Sequence, residues 1–274
     1  MPAVLDTIAF DLIWQTKSEA IFGKNCQLTN YAGTQFTLRI ERKIKLLSKA
    51  QTEHNLGITL STGILSVGFE TQNAISNHGS EAWTESTGTL SVWMLSMLTP
   101  SPEVTVFLPY RKEGSAAAIV NDDYFGKVPA DRLMVKYGII WFKADGKYRS
   151  KIGVPSEKAF NICGSYDAKN KALTILWCKL PEEKSKYVNS KWGTQSDPYS
   201  GDVINSYNDG PIEDGTQMGP FYELESSSPA AFLKPGEKLT HLQRIYHFEG
   251  SEEDLGAITK KVFGFNIQQI KQIF

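Results

Sequence analysis

Apolar and polar positions alternate along most of the chain, and a side-chain repeat of two marks a half-buried β-strand. Over residues 35–47, Phe36, Leu38 and Ile40 fall on one face while Arg39 and Glu41 fall on the other. Similar runs at 9–14, 19–30, 64–75, 88–98, 104–110, 133–142 and 172–178 predict further strands, divided by turn residues such as Asn30-Tyr-Ala-Gly33, Asp145-Gly146 and Lys169-Asn-Lys171. Near the C-terminus, runs at 221–225 and 239–248 flank Leu233-Lys-Pro-Gly-Glu237, in which Pro235 presets φ and Gly236 can take the positive φ of a tight turn. A single helix is predicted, after the capping signature Ser251-Glu-Glu-Asp254, where Leu255, Ile258, Val262 and Phe263 recur at helical spacing. Many short strands, with neither βαβ alternation nor a repeat of fixed period, predict an all-β antiparallel sandwich or barrel. No linker divides the chain, so residues 1–274 are expected to form one domain.

Periodicity lapses over residues 181–219, which are rich in Asn, Asp, Ser, Tyr and Trp. A segment of that length predicts a functional loop, and its aromatic content predicts an ordered one. Composition removes several partners. Lys and Arg number 29 against 30 Asp and Glu, without a basic run, so the electrostatic footprint of a nucleic-acid or anionic-membrane binder is missing. Cys26, Cys163 and Cys178 lack metal-ligand spacing and are expected to be buried thiols. The first residues lack the charged and apolar regions of a signal peptide. The chain as written is expected to be cytoplasmic, whereas a start upstream would leave a periplasmic or secreted protein open.

Phosphate loops, nucleophile elbows and zinc motifs are not present, and His54, His78, His241 and His247 have no metal-binding spacing. Neither a metal nor a cofactor is expected. Two constellations remain. Glu223 and Glu225 share a strand face, where one carboxylate raises the proton affinity of the other, while His241 and His247 are expected to share a face of the neighbouring strand. The same residues would also suit a solvated polar face. The second constellation is the long segment with Asn189, Trp192, Gln195, Tyr199, Asp202, Asn205, Tyr207, Asn208 and Asp209. Amides and carboxylates that bind paired hydroxyls, interleaved with rings that stack on a sugar face, form a carbohydrate-like lining. Asn and Asp can equally satisfy their own backbone in turns.

Leu224-Glu225, Ser226-Ser-Ser-Pro229, Phe232-Leu-Lys-Pro-Gly-Glu237 and His241 together resemble the closing segment of galactose mutarotases (aldose 1-epimerases). Leu28-Thr-Asn-Tyr-Ala-Gly33, residues 83–93, Pro198-Tyr-Ser-Gly-Asp202 and Asn205-Ser-Tyr-Asn-Asp-Gly210 are similar to a bacterial branch of that superfamily. The resemblance implies an antiparallel β-supersandwich whose concave face binds a sugar or oligosaccharide. It implies Glu225 as general base and, through Asn77-His78, His78 as general acid. Here Asn-His continues as Gly79-Ser-Glu-Ala-Trp83, whereas the family continues with Thr or Ser, an aromatic, and Asn-Leu. Glu223, Arg149, Lys151, Trp192, Asp202, Asn205, Asn208 and His241 are the residues expected to position hydroxyls. Related chains carry about a hundred residues ahead of the matching region, the size of a small domain. Early strands are therefore expected to be lacking, leaving sheet edges that pairing in a homo-oligomer could cover. The function implied is interconversion of aldose anomers; the alternative is a non-catalytic sugar-binding protein of the same fold. A polysaccharide lyase-like role is a third reading, although no helical partner domain is visible in the sequence.

Overall fold

The computed structural model describes residues 2–113, 118–191, 193 and 195–274. In chain order its elements are α1 (Ala3–Asp6), β1 (Asp11–Gln15), β2 (Glu19–Thr29), β3 (Gln35–Leu47), α2 (Lys49–Leu56), β4 (Leu65–Asn77), β5 (Trp93–Leu98), β6 (Val104–Pro109) and β7 (Leu133–Lys136). There follow β8 (Ile139–Lys143), β9 (Ser150–Pro155), β10 (Ile162–Asp167), β11 (Ala172–Cys178), β12 (Asp202–Asn208), β13 (Tyr222–Ser227), β14 (Lys238–Glu249), α3 (Glu252–Phe263) and α4 (Ile267–Lys271). The named strands pair antiparallel throughout, in a ten-stranded sheet ordered β1-β2-β3-β4-β14-β11-β10-β6-β8-β7 and a four-stranded sheet ordered β5-β13-β12-β9. This is the antiparallel β-sandwich that the alternating pattern predicts.

Alternation assigns each face of the large sheet to its own core. Ile245 of β14, Val106 of β6 and Ile140 of β8 pack with Ile152, Ile204 and Leu224 of the small sheet. On the opposite face, Phe107, Trp141, Tyr246 and Phe248 pack with Leu255 and Ile258 of α3 and with Phe265, Ile267 and Ile270 at the C-terminus. Ser251 caps α3 by accepting from the Asp254 N–H, and Gly264 ends it at φ 84°, as its sequence signature predicts. A third cluster, around Phe36, Leu38, Ile75, Trp83, Val92 and Leu233, joins β3 and β4 to the segment that follows β13.

Three assignments made from the pattern change. The 133–142 run is a hairpin, because Tyr137 and Gly138 take φ of 61° and 81° and reverse the chain between β7 and β8. The segment 181–219 contains a central strand, β12, buried along its whole length. Most informative, β13 and β14 are not partners. The Lys-Pro-Gly-Glu turn forms, with Gly236 at φ 82°, but the residues before it bond elsewhere: Ser228 N–H to Val92, Ala230 N–H to Lys186 and Ala231 N–H to Leu90. β13 pairs with β5 and β12, whereas β14 pairs with β4 and β11 in the other sheet. Residues 49–56 also form a helix that the periodicity does not reveal. It is short and polar, and is started by a capping box between Ser48 and Gln51.

Polar groups trapped between the sheets satisfy one another. Ser226 Oγ donates to Gln243 Oε1 at 2.6 Å and lies 2.7 Å from His241 Nε2. A hydroxyl has one proton, so His241 must be the donor to Ser226, which fixes the Nε2–H tautomer. Gln243 Nε2 continues the chain to Ser96 Oγ at 3.2 Å, and Tyr222 OH lies 2.9 Å from Ser165 Oγ. Burial depresses the His241 imidazole to about 4 from an ordinary 6.5. A depressed histidine contributes stability that is present above 6.5 and lost as pH falls toward 4, since the unfolded chain binds the proton first. His247, 3.0 Å from Thr174 Oγ1 and also depressed by burial, adds in the same direction. Thermal unfolding followed by circular dichroism should therefore show the wild-type midpoint falling relative to that of His241→Gln as pH is lowered from 6.5 to 4, because the variant lacks the group that the unfolded chain protonates first.

Candidate functional site

On β13, Tyr222, Leu224 and Ser226 face the large sheet, so Glu223 and Glu225 project from the opposite side. In register beside them are Tyr207 and Asn205 of β12 and Met97 and Leu95 of β5, while Lys151 of β9 stands opposite Tyr207. Strand periodicity thus places on one surface side chains that are scattered along the sequence.

Glu225 is the centre of this surface and is fully buried. Its Oε2 accepts from Lys151 Nζ at 2.8 Å and from Trp93 Nε1 at 2.7 Å. Lys151 lies over the Trp93 ring, 4.4 Å from its centroid, and 5.2 Å from that of Tyr124. Two carboxylate oxygens can accept about four hydrogen bonds, yet Glu225 Oε1, although buried, receives none from the fixed donors of the protein. Burying an ion pair costs several kcal/mol per ion unless geometry and extra hydrogen bonds offset it. An unfilled acceptor on the most buried carboxylate is therefore an expensive feature. Trp93 itself keeps 38 % of its surface exposed and Met97 58 %, so the charged centre has an apolar, accessible border.

Glu223 is also buried, and its carboxyl is pushed up to about 8, chiefly by burial, then by repulsion from Glu225 and by a hydrogen bond to Glu225 that its protonated form makes. Lys151 opposes that rise and Asp209 adds to it. The two carboxyls interact closely enough that their protons belong to the pair.

A polar cluster extends the site. Asp202 accepts from Tyr124 OH at 2.5 Å and from Asn121 Nδ2 at 2.8 and 3.0 Å, and Tyr124 OH also reaches Asn205 Oδ1 at 3.2 Å. Burial raises Asp202 to about 6 against these lowering hydrogen bonds and the Lys151 charge. The strand that faces Asp202 carries Gly153, where a Cβ would stand 2.1 Å from Asp202 Oδ2 and 2.6 Å from Asn205 Oδ1. Glycine is required there by close approach. Arg149 stacks over Phe125, 4.0 Å from its centroid, and lowers Tyr207, which burial nevertheless pushes up to about 12.

The expected site residues divide. Glu223, Glu225, Lys151, Asp202 and Asn205 assemble on this face, with Arg149 at its Tyr207 end. Asn208 is turned away: its amide donates to Tyr148 O and accepts from the Gly146 N–H, each at 2.8 Å, and so locks the 145–149 turn. His241 belongs to the inter-sheet network and not to the carboxylate face, because β13 lies between them. His78 is exposed just beyond β4, where Asn77 donates to the Glu81 and Leu233 carbonyls, and the charge influenced by His78 is Glu41. Trp192 lies outside the described residues. Sequence reasoning did not select Trp93, Asn121 or Tyr124; the one available signal was the polar and aromatic run Asn121-Asp-Asp-Tyr-Phe125 in an otherwise irregular stretch. Among the described residues, no group of three or more His, Cys, Asp or Glu side chains could hold a metal ion.

The two antiparallel sheets form a galactose mutarotase-like β-sandwich. A candidate aldose 1-epimerase from Escherichia coli K12 superposes with a TM-score of 0.50 at 9% identity, over 87% of this chain and 68% of that one. A galactose mutarotase-like protein from Lactobacillus casei ATCC 334 (TM-score 0.47, 10% identity, 87% of this chain and 72% of that one) and a galactose mutarotase related enzyme from Lactobacillus acidophilus (0.47, 9%, 89% and 73%) are also similar. At such identities the likeness is one of fold. The chain belongs to the family of unknown function DUF6786, whose model matches residues 1–274. No curated protein matches its sequence.

Lys151→Met should test the ion pair. Leaving one partner of a buried pair alone costs about 3–5 kcal/mol, so urea unfolding at neutral pH should show a loss of that size. An unpaired buried carboxylate takes up a proton more readily, so the loss should shrink as pH is lowered to 5. An equal loss at both values would show that Lys151 acts through packing alone.

Proposed function

We propose that the protein is a carbohydrate-active, mutarotase-like isomerase that interconverts the anomers of an aldose, with Glu225 as general base. The observation that carries this reading is the Glu225 carboxylate, held through one oxygen by Lys151 and Trp93 while Oε1 meets no fixed protein donor. An anomeric hydroxyl donating to Oε1 would complete its hydrogen bonding. The Trp93 ring supplies a stacking face beside it, and Asn121, Tyr124, Asp202 and Asn205 supply donors and acceptors for further hydroxyls. Removal of the anomeric hydroxyl proton by Glu225, with delivery of a proton to the ring oxygen, breaks the C1–O5 bond and gives the open aldehyde. Rotation about C1–C2 and reclosure yield the other anomer. Aligned proton donors and acceptors are sufficient for this reaction.

A second reading is a sugar-binding protein without catalysis. Two features favour it: Glu225 has no exposed surface, and His78, the acid implied by the resemblance, stands exposed beyond β4, where it influences Glu41. Proton NMR of freshly dissolved α-glucose and α-galactose separates the readings. Wild-type protein should accelerate anomerisation and Glu225→Gln should lower the rate by about a hundredfold or more. Saturable sugar binding with a rate equal to buffer alone would establish the binding protein, and neither binding nor acceleration would sink both.

A further inference from the structure

The four histidines leave the acid half of this chemistry unassigned. None hydrogen-bonds Glu223 or Glu225: His241 serves Ser226, His247 lies beside Thr174, His78 is exposed past β4, and His54 is on α2. The second carboxyl of the same strand face is differently placed. Glu223 stands two residues from Glu225, between Tyr207 on one side and the exposed Met97 on the other. We propose that Glu223 is the proton donor of the site, so that the two glutamates of β13 form an acid and base pair acting on one sugar ring.

This inference rests on the anomerisation reading and names the group that completes it. The groups facing Glu223 are Glu225 on its own strand, Tyr207 and Asp209 on and beyond β12, Lys151 and Arg149 on and before β9, and more distantly Asp202 and Tyr124. Lys151 is engaged by Glu225 at 2.8 Å. Burial, together with the negative charge of Glu225 and Asp209, therefore outweighs it, and a group raised to about 8 carries its proton at neutral pH. A carboxyl that its surroundings keep protonated can serve as the acid beside a carboxylate base.

The step balances without a co-reactant. Glu225 takes the anomeric hydroxyl proton, the C1–O1 pair becomes the carbonyl, the C1–O5 bond breaks, and Glu223 gives its proton to O5. Reclosure on the other face of the aldehyde runs both transfers backwards and restores Glu223 as the acid. The strand suits this division, because Glu223 and Glu225 project from one face at i and i+2, with carboxyls close enough to share a hydrogen bond, so that both stand beside the same ring.

The test compares wild type, Glu223→Gln, Glu223→Asp and Glu225→Gln by anomer-exchange NMR across pH 5–10, with sugar binding measured on each variant. The wild-type rate should fall on the alkaline side as Glu223 loses its proton, with an inflection near 8. Glu223→Gln should keep sugar binding, lose about a hundredfold to ten-thousandfold in rate and lose the alkaline limb; Glu223→Asp should recover part of the rate. If Glu223→Gln runs at the wild-type rate while Glu225→Gln does not, the donor assignment is overturned and the anomerisation reading stands. If wild type is no faster than buffer, both fall together. A second measurement on the unmutated protein guards against misfolded variants: the side-chain carboxyl 13C resonance of Glu223 should titrate near 8, and a midpoint below 5 would overturn the proposal.

Discussion

A negative charge buried in the middle strand pair of the small sheet is the constraint on which the rest of the site depends. Glu225 cannot reach water, so its charge has to be met by the protein, and Lys151 meets it from β9, two strands away. That span holds only if β12 lies between them at full sheet spacing, with Asn205 and Tyr207 on the same face. Trp93 closes the other side from β5. The ion pair and the Trp93 hydrogen bond together tie all four strands of the sheet to a common registration. The polar cluster around Asp202 is held in turn by the close approach of Gly153 on the same β9 strand.

The two sheets also separate two kinds of polar chemistry that are neighbours in sequence. Ser226 faces inward to His241 and Gln243, where every group has a partner and burial keeps the imidazole neutral. Glu225, the adjacent residue, faces outward with an oxygen that no fixed donor fills. A satisfied buried network adds specificity to the packing of the sheets. An unsatisfied one beside an exposed aromatic adds a place for a ligand.

Much of the fold was legible because strand alternation is written locally. The 35–47 run, the turn at Gly236 and the cap at Ser251 all form as their residues indicate. The shared face of Glu223 and Glu225 follows from the same period. What was not legible depends on distant pairing. Asp202–Asn208 reads as polar loop because both faces of β12 are buried, one in the inter-sheet core and one in the site, so its polar residues carry no inside-outside contrast. The tight turn before β14 looks like a hairpin, yet the residues leading into it spend their backbone hydrogen bonds on segments more than forty residues away. That detour moved His241 to the far side of β13 from the glutamates. Lys151 was selected through the resemblance, but its pairing with Glu225, 74 residues distant, had no local signal.

The alternation of β13 has a consequence for how reliably the site is made. Tyr222, Leu224 and Ser226 belong to the packing between the sheets, and Glu223 and Glu225 belong to the site. A slip of one residue would exchange the two sets, driving carboxylates into the apolar core and exposing Leu224. No such molecule could stay folded, so the core acts as a proofreader for the chemistry on its reverse side. In a preparation of this protein, the fraction of chains that are folded is also the fraction whose glutamate pair is correctly mounted.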